Sequence, residues 1–185
     1  MLPRRTLTVL IGAVSCVAVA AGCGAVDRLS SGRSSGTTIS GYGLTIELPP
    51  GWHGRIYRRS PKYAIMLDAA TVPLPPASDD LFDQTALRMG TDDLYLHLDD
   101  IGQAPELPMR EPVWKIAEPP LQMERSDLGN FPVKFAAFAI RPVVVRERLI
   151  QLDAGFGSAP TDRMLARLNA VLGTLNVTTG EPSVE

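Results

Sequence analysis

The sequence FPVKFAAFAIRPVVVRERLIQLDAGF (131–156), with APTDRMLARLNAVLGTL (159–175) after it, decides the fold class of this chain. The first part contains two long runs of apolar and β-branched residues, 131–140 and 143–156, which predict strands joined near Arg141 and Pro142. The second part predicts an amphipathic helix, because large apolar side chains recur at helical spacing: Met164, Leu165, Leu168, Val171, Leu172 and Leu175. Strands followed by a helix that packs on them indicate an α+β domain.

Shorter strands are predicted before this stretch. Residues 42–48 and 52–58 alternate between apolar and polar, and the Pro-Pro-Gly between them favours a turn, so these strands form either a hairpin or a sharp corner. Residues 64–72 are more uniformly apolar, which predicts a central strand. Residues 94–99 alternate again, which predicts a strand with one buried face and one face in water.

An earlier helix is predicted over 78–90, with Ser78 as its N-cap and Gly90 as its end. Its apolar face would consist of Leu81, Phe82, Ala86 and Met89. The expected architecture is therefore a mostly antiparallel sheet flanked by two helices. The proline-rich segment 103–120 is expected to be an irregular loop.

The N-terminus reads as a bacterial lipoprotein signal over residues 1–22. Arg4 and Arg5 supply positive charge, residues 6–19 are largely apolar, and small residues precede Cys23. Cys23 is then the predicted site of lipid attachment, through a diacylglyceryl group on its thiol. Cys16 is a rival acceptor. A transmembrane helix is the weaker interpretation, because the apolar run is short and interrupted.

Cleavage after residue 22 divides the chain into distinct parts. Residues 23–40 are rich in Gly, Ser and Thr and predict a flexible lipidated tether. Residues 41–178 are expected to form the single domain, and residues 179–185 a frayed tail. We therefore expect the protein on the extracytoplasmic face of the cell membrane.

Composition excludes several function classes. The mature chain has 16 basic and 20 acidic residues, a net charge of −4, which argues against nucleic acid as a partner. Cys23 is its only cysteine, so the domain has no internal disulfide, thiol nucleophile or cysteine metal site. Stability must then come from a packed core.

Two short motifs carry a family resemblance. A strand runs into LPPGW (48–52), and the closing helix ends in NAVLGTL (169–175). This order of elements resembles the PsbP-like fold, found in many small bacterial lipoproteins, over about residues 41–178. The resemblance implies a PsbP-like α/β sandwich and a role in protein binding or assembly. It carries over no catalytic residue.

A basic face is predicted on the strand 52–58. His53, Arg55, Tyr57 and Arg59 alternate along it and would share one side. Two guanidinium groups beside an imidazole suit an anion or a partner's acidic surface. The competing interpretation is a solvated strand face, which any half-exposed strand shows.

Metal binding is considered for the acidic strand that carries His97. His97 and Asp99 would point the same way, but a zinc site needs three or four ligands and the chain has one other histidine. Asp99 and Asp100 are expected to end the strand in water. No metal and no cofactor are therefore predicted.

Catalytic motifs are weak. Ser158 lies between a predicted strand and helix, as a nucleophile elbow would, but its surroundings read GFGSA rather than G-x-S-x-G. The simpler interpretation is a turn in which the glycines give backbone freedom and Ser158 lies near the helix cap. No catalytic residue is predicted.

The segment 103–120 could also be functional. Met109, Trp114 and Met123 could line a groove for a peptide or lipid, or Trp114 could pin the loop to the core. The leading hypothesis is a noncatalytic, lipid-anchored binding or assembly module with a protein partner in the cell envelope. The alternative is a carrier of a small apolar or amphipathic ligand, and the third is an envelope hydrolase.

Overall fold

The computed structural model describes residues 36–60, 64–103, 115–129 and 133–179. Within these residues the strands are β1 Thr37–Gly41, β2 Leu44–Leu48, β3 His53–Tyr57, β4 Ile65–Ala70, β5 Leu94–Gln103, β6 Lys115–Ile116, β7 Leu128–Gly129, β8 Ala137–Val145, β9 Arg148–Phe156 and β10 Asn176–Val177. The helices are α1 Leu81–Ala86 and α2 Asp162–Leu172, with a short 3-10 turn at Arg125–Asp127.

The described strands form two sheets. The large sheet has the order β3-β4-β5-β9-β8-β6, and β7 also pairs with β8. Its pairings are antiparallel except that between β6 and β8. The small sheet has the order β1-β2-β10 and is antiparallel. The predicted α+β class, a mostly antiparallel sheet flanked by two helices, is confirmed.

Helix α2 matches its prediction closely. The Thr161 hydroxyl caps it by accepting from the Met164 amide at 3.2 Å, and Gly173 follows its last residue. Its buried side chains belong to one core with the small sheet and one face of the large sheet. Leu94, Leu96 and Leu98 of β5 lie in that core fully buried.

The Pro-Pro-Gly turn makes a corner between the two sheets. The Trp52 amide donates to the Pro49 carbonyl at 3.1 Å, and Gly51 has φ +84°. These are the features of a type II turn, which favours Pro at its second position and Gly at its third. The strands on either side belong to different sheets, so the sharp corner is confirmed and the hairpin is wrong.

Strand β1 begins inside the segment predicted to be a tether. It pairs with β2 from Thr37 opposite Leu48 to Gly41 opposite Leu44. Its composition gave no apolar signal because its side chains are mostly exposed. The ordered part of the chain therefore includes residues before the predicted boundary at 41.

The connection between β8 and β9 also differs from its prediction. The turn lies at Arg146 and Glu147, whose φ angles are +48° and +66°, and this left-handed pair matches the twist of a tight hairpin. Pro142 is inside β8 instead, between the residues that pair with β7 and those that pair with β6. Neither β6 nor β7 pairs with β8 at this position. Proline is therefore tolerated there, although it has no amide hydrogen to donate.

Helix α1 is shorter than predicted. Its N-cap is Asp80 rather than Ser78, whose hydroxyl donates to the Asp80 carboxylate at 2.6 Å. The helix ends at Ala86 rather than at Gly90, and Leu87 is 75% exposed. In the described part of the chain, neither helix has the length and apolar character needed to cross a bilayer.

A buried ion pair joins the two sheets. Asp100 of β5 and Arg148 of β9 are each 2% exposed and form a salt bridge. Arg148 also donates to the carbonyls of Tyr42 at 3.3 Å and Thr178 at 3.4 Å, which flank the strands of the small sheet. The prediction that Asp99 and Asp100 end the strand in water is therefore wrong for Asp100, and β5 continues to Gln103.

Removing one member of this pair should destabilise the fold strongly. Asp100→Asn would leave the Arg148 guanidinium buried without a counter-charge, at a cost of about 3–5 kcal/mol in the free energy of unfolding. Arg125→Met, which breaks the exposed pair with Asp162, should cost at most about 1 kcal/mol. Urea unfolding curves measure both, and equal losses would contradict the role given to the buried pair.

Candidate functional site

A row of charged side chains crosses the large sheet on the face opposite α2. Arg55 on β3 lies opposite Asp68 on β4, Asp68 opposite His97 on β5, and His97 opposite Asp153 on β9. Residues that pair directly across neighbouring strands share one face, so the four side chains form a continuous line. We call these four residues the charged row.

Asp68 is the centre of the charged row. It is fully buried, and its Oδ1 accepts from the Tyr95 hydroxyl at 2.8 Å and contacts His97 Nδ1 at 2.7 Å. Its Oδ2 accepts from Arg55 Nε at 3.0 Å. Burial alone would raise the pKa of this carboxyl, but the bonds from His97 and Tyr95 and the charge of Arg55 hold it below its ordinary value.

His97 lies between two carboxylates. Its Nδ1 faces Asp68, and its Nε2 is 3.1 Å from Asp99 Oδ1. Burial acts to lower the pKa of the imidazole, but the two carboxylates outweigh it and raise the pKa to about 9. We therefore expect the ring to carry a proton on both nitrogens at neutral pH. Phe82 of α1 covers it, with ring centroids 4.8 Å apart.

Asp153 completes a group of possible metal ligands. Ligand atoms of His97, Asp99 and Asp153 all lie within 4.8 Å of one another. Burial raises the pKa of Asp153 to about 6, although both of its carboxylate oxygens accept from the Gln151 amide at 3.1 Å. The sequence placed Asp153 on a strand but gave no register to bring it beside His97.

This face of β5 is not in water, contrary to its prediction. Tyr95 and His97 are buried there, because Phe82 of α1 and Phe135 pack over them. Phe135 lies against Gly155, where a Cβ atom would approach its ring to 2.5 Å. Gly155 thus serves close packing rather than the backbone freedom expected of it.

A small cleft of about 170 Å³ lies beside the charged row. Tyr57, Arg59, Phe82, His97 and Asp99 are among its lining residues. The two clusters predicted separately, one on strand 52–58 and one around His97, therefore meet on one face. His53 does not line the cleft and is exposed at the start of β3.

Both arginines of the predicted anion site have internal partners. Arg55 binds Asp68 and also donates to the Pro75 carbonyl at 2.6 Å. Arg59 forms a salt bridge with Asp79 and donates to the Ser78 carbonyl. These contacts favour a structural role over recognition of an external anion. The Tyr57 hydroxyl is buried, and burial together with the charge of the nearby Asp68 raises its pKa to about 12.

Ser158 is placed in a turn and does not cap α2. Its hydroxyl donates to the Thr91 carbonyl at 2.7 Å, while Thr161 caps the helix. The hydrogen bonds described for its hydroxyl are to backbone carbonyls and a methionine sulfur, and none joins it to an imidazole. This environment is typical of a structural serine.

Met123 does not belong to the groove that was predicted for Met109, Trp114 and Met123. Met123 is 2% exposed and packs in the main core, so it does not line a surface groove. The side chain of Asn169 on α2 fixes its backbone through bonds of 2.8 Å and 3.0 Å. Met109 and Trp114 lie outside the described residues, as does Cys23.

Comparisons of the chain with protein-family models, with curated proteins and with solved structures found no match.

The charged row predicts a specific dependence of stability on pH. Because the folded pKa of His97, about 9, exceeds its ordinary value of 6.5, protonation stabilises the folded chain fully below pH 6.5. That stabilisation, up to about 3 kcal/mol, is lost as the pH rises through 9. Urea unfolding with EDTA present should show this decline. The decline should disappear in His97→Gln and persist in the exposed control His53→Gln. If it persists in His97→Gln, a group other than His97 causes it.

Proposed function

We propose that this protein is a noncatalytic binding or assembly module, held by lipid on the extracytoplasmic face of the cell membrane. The lipoprotein signal at residues 1–22 and the small residues before Cys23 support this location and anchor. The Gly/Ser-rich stretch after Cys23 would hold the domain at a distance from the lipid headgroups. Its expected partner is another protein of the cell envelope.

The observation that carries the noncatalytic part is the position of the buried His97 ring between two carboxylates. Both ring nitrogens of His97 face carboxylates, so the ring holds its proton and is a poor general base at neutral pH. The hydroxyl of Ser158 is bonded to a backbone carbonyl. A nucleophile beside a base, which a hydrolase of the serine type needs, is not formed within the residues described.

The carrier hypothesis has less support than the binding module. A carrier needs an apolar cavity between the sheet and its covering helix. Met123 is 2% exposed and packs in the core that contains Leu168 of α2. Leu121 and Leu152 also line an open cleft of about 230 Å³, but Glu118, Glu124 and Arg141 line it too, so it is not apolar. The core around α2 is thus occupied by side chains of the protein itself.

The anchor is tested by replacing the predicted lipid acceptor. Cys23→Ser should abolish incorporation of labelled fatty acid and move the protein out of the membrane fraction. Cys16→Ser is the matched control and should keep both properties. Loss of the label in Cys16→Ser alone would move the acceptor to Cys16, and membrane retention without label would contradict a lipid anchor.

The choice between module and carrier is tested by mass. Comparison of native with denaturing mass spectra of the protein purified from its natural membrane should give the same mass in both, that of the lipidated chain. A reproducible excess under native conditions would identify a retained ligand and favour the carrier. A second test of the module is cross-linking on intact membranes. It should give a discrete adduct with a second protein, and the absence of this adduct would argue against the assembly role.

A further inference from the structure

We propose that His97, Asp99 and Asp153 bind a divalent first-row transition-metal ion, of which Zn²⁺ is the representative. This inference goes beyond the proposed function and does not depend on the lipid anchor or on a protein partner. It rests on the geometry of three ligand groups, on the residues that orient the histidine, and on the cleft beside them.

The three ligand groups are close enough to share one ion. Two ligands bound to one ion at about 2.1 Å are separated by about 3.0–3.4 Å, depending on the coordination angle. His97 Nε2 and Asp99 Oδ1 are 3.1 Å apart, and all three ligand atoms lie within 4.8 Å of one another. A separation of 4.8 Å exceeds about 3.4 Å, so binding of one ion would require a carboxylate to rotate about its side-chain bonds.

The opposite side of the imidazole has the partner that metal-binding histidines require. A histidine that ligates through one nitrogen almost always donates from the other to a carboxylate or carbonyl, which fixes the tautomer and the ring plane. Nδ1 of His97 contacts the buried Asp68 at 2.7 Å, and Asp68 is itself held by Tyr95 and Arg55. The ring is therefore oriented with Nε2 towards Asp99.

The cleft supplies access and open coordination positions. It is lined by His97 and Asp99, so an ion bound there would keep positions for water on that side.

The ligand set selects the class of ion. One imidazole with two carboxylates suits Zn²⁺, Fe²⁺ or Mn²⁺, whereas Ca²⁺ prefers oxygen ligands alone and Cu⁺ prefers sulfur. Affinity within such a set generally rises from Mn²⁺ to the later ions of the first row, so Zn²⁺ is the stronger probe. Binding requires that the ion replace the proton on Nε2, which makes binding weaker as the pH falls.

Titration calorimetry with Zn²⁺ tests the site in the full chain carrying Cys16→Ser and Cys23→Ser, so that no thiol competes. After removal of metal with EDTA, the protein should bind one Zn²⁺ per chain at neutral pH. Asp99→Asn and Asp153→Asn should each weaken binding at least tenfold, because each removes an anionic ligand. The controls His53→Gln and Asp92→Asn, which alter residues outside the cluster, should bind as the parent does.

Thermal unfolding separates a lost ligand from a lost fold. Zn²⁺ should raise the Tm of the parent and of both controls above their metal-free values, and it should have little effect on Asp99→Asn and Asp153→Asn, each compared with its own metal-free Tm. The metal-free Tm of Asp99→Asn should itself be lower than that of the parent, because the change also removes a partner of His97. The proposal is overturned if the parent shows no saturable binding of one ion. It is also overturned if binding is unchanged in Asp99→Asn and Asp153→Asn, or if it is lost in His53→Gln.

Discussion

The buried carboxylate of Asp68 is the constraint on which one whole face of the large sheet depends. A carboxylate without exposure to water is tolerated only when donors replace its hydration, and here the three donors come from two neighbouring strands: Arg55 from β3, and Tyr95 and His97 from β5. Each of these side chains is in turn fixed by that bond. The position of Asp68 fixes the orientation of the His97 ring. That orientation directs Nε2 towards Asp99.

The two faces of the sheet therefore have different functions. One face packs with α2 and the small sheet in an apolar core, which stabilises a domain that has no internal disulfide. The other face holds the charged row under Phe82 of α1 and the ring of Phe135. Burying ionised groups there is costly, and a hydrophobic face of similar shape would be at least as stable. These ionised groups therefore favour a binding role for this face, and the carboxylates beside His97 favour a cation as the ligand.

Local patterns in the sequence predicted the elements but not the site. Helix α2 was predicted with its end at Gly173 because apolar spacing and capping are local properties. Asp153 was missed because strand register depends on long-range pairing, and only the register places it beside His97. Tyr95 and His97 were assigned to water because their alternation with leucine looks the same whether or not a helix covers that face. Asp100 was assigned to water for a similar reason, since its partner Arg148 is distant in sequence.

The protonation state of His97 is the most direct test of this account. The chain has two histidines, so nitrogen NMR of ¹⁵N-histidine-labelled protein resolves the buried ring of His97 from the exposed ring of His53. In metal-free protein at neutral pH, we expect His97 to carry protons on both nitrogens. After Zn²⁺ is added, Nδ1 should keep its proton and Nε2 should show the shift of a metal-bound nitrogen, while His53 is unchanged. A neutral His97 ring in the metal-free protein, or a Zn²⁺ response confined to His53, would contradict the account.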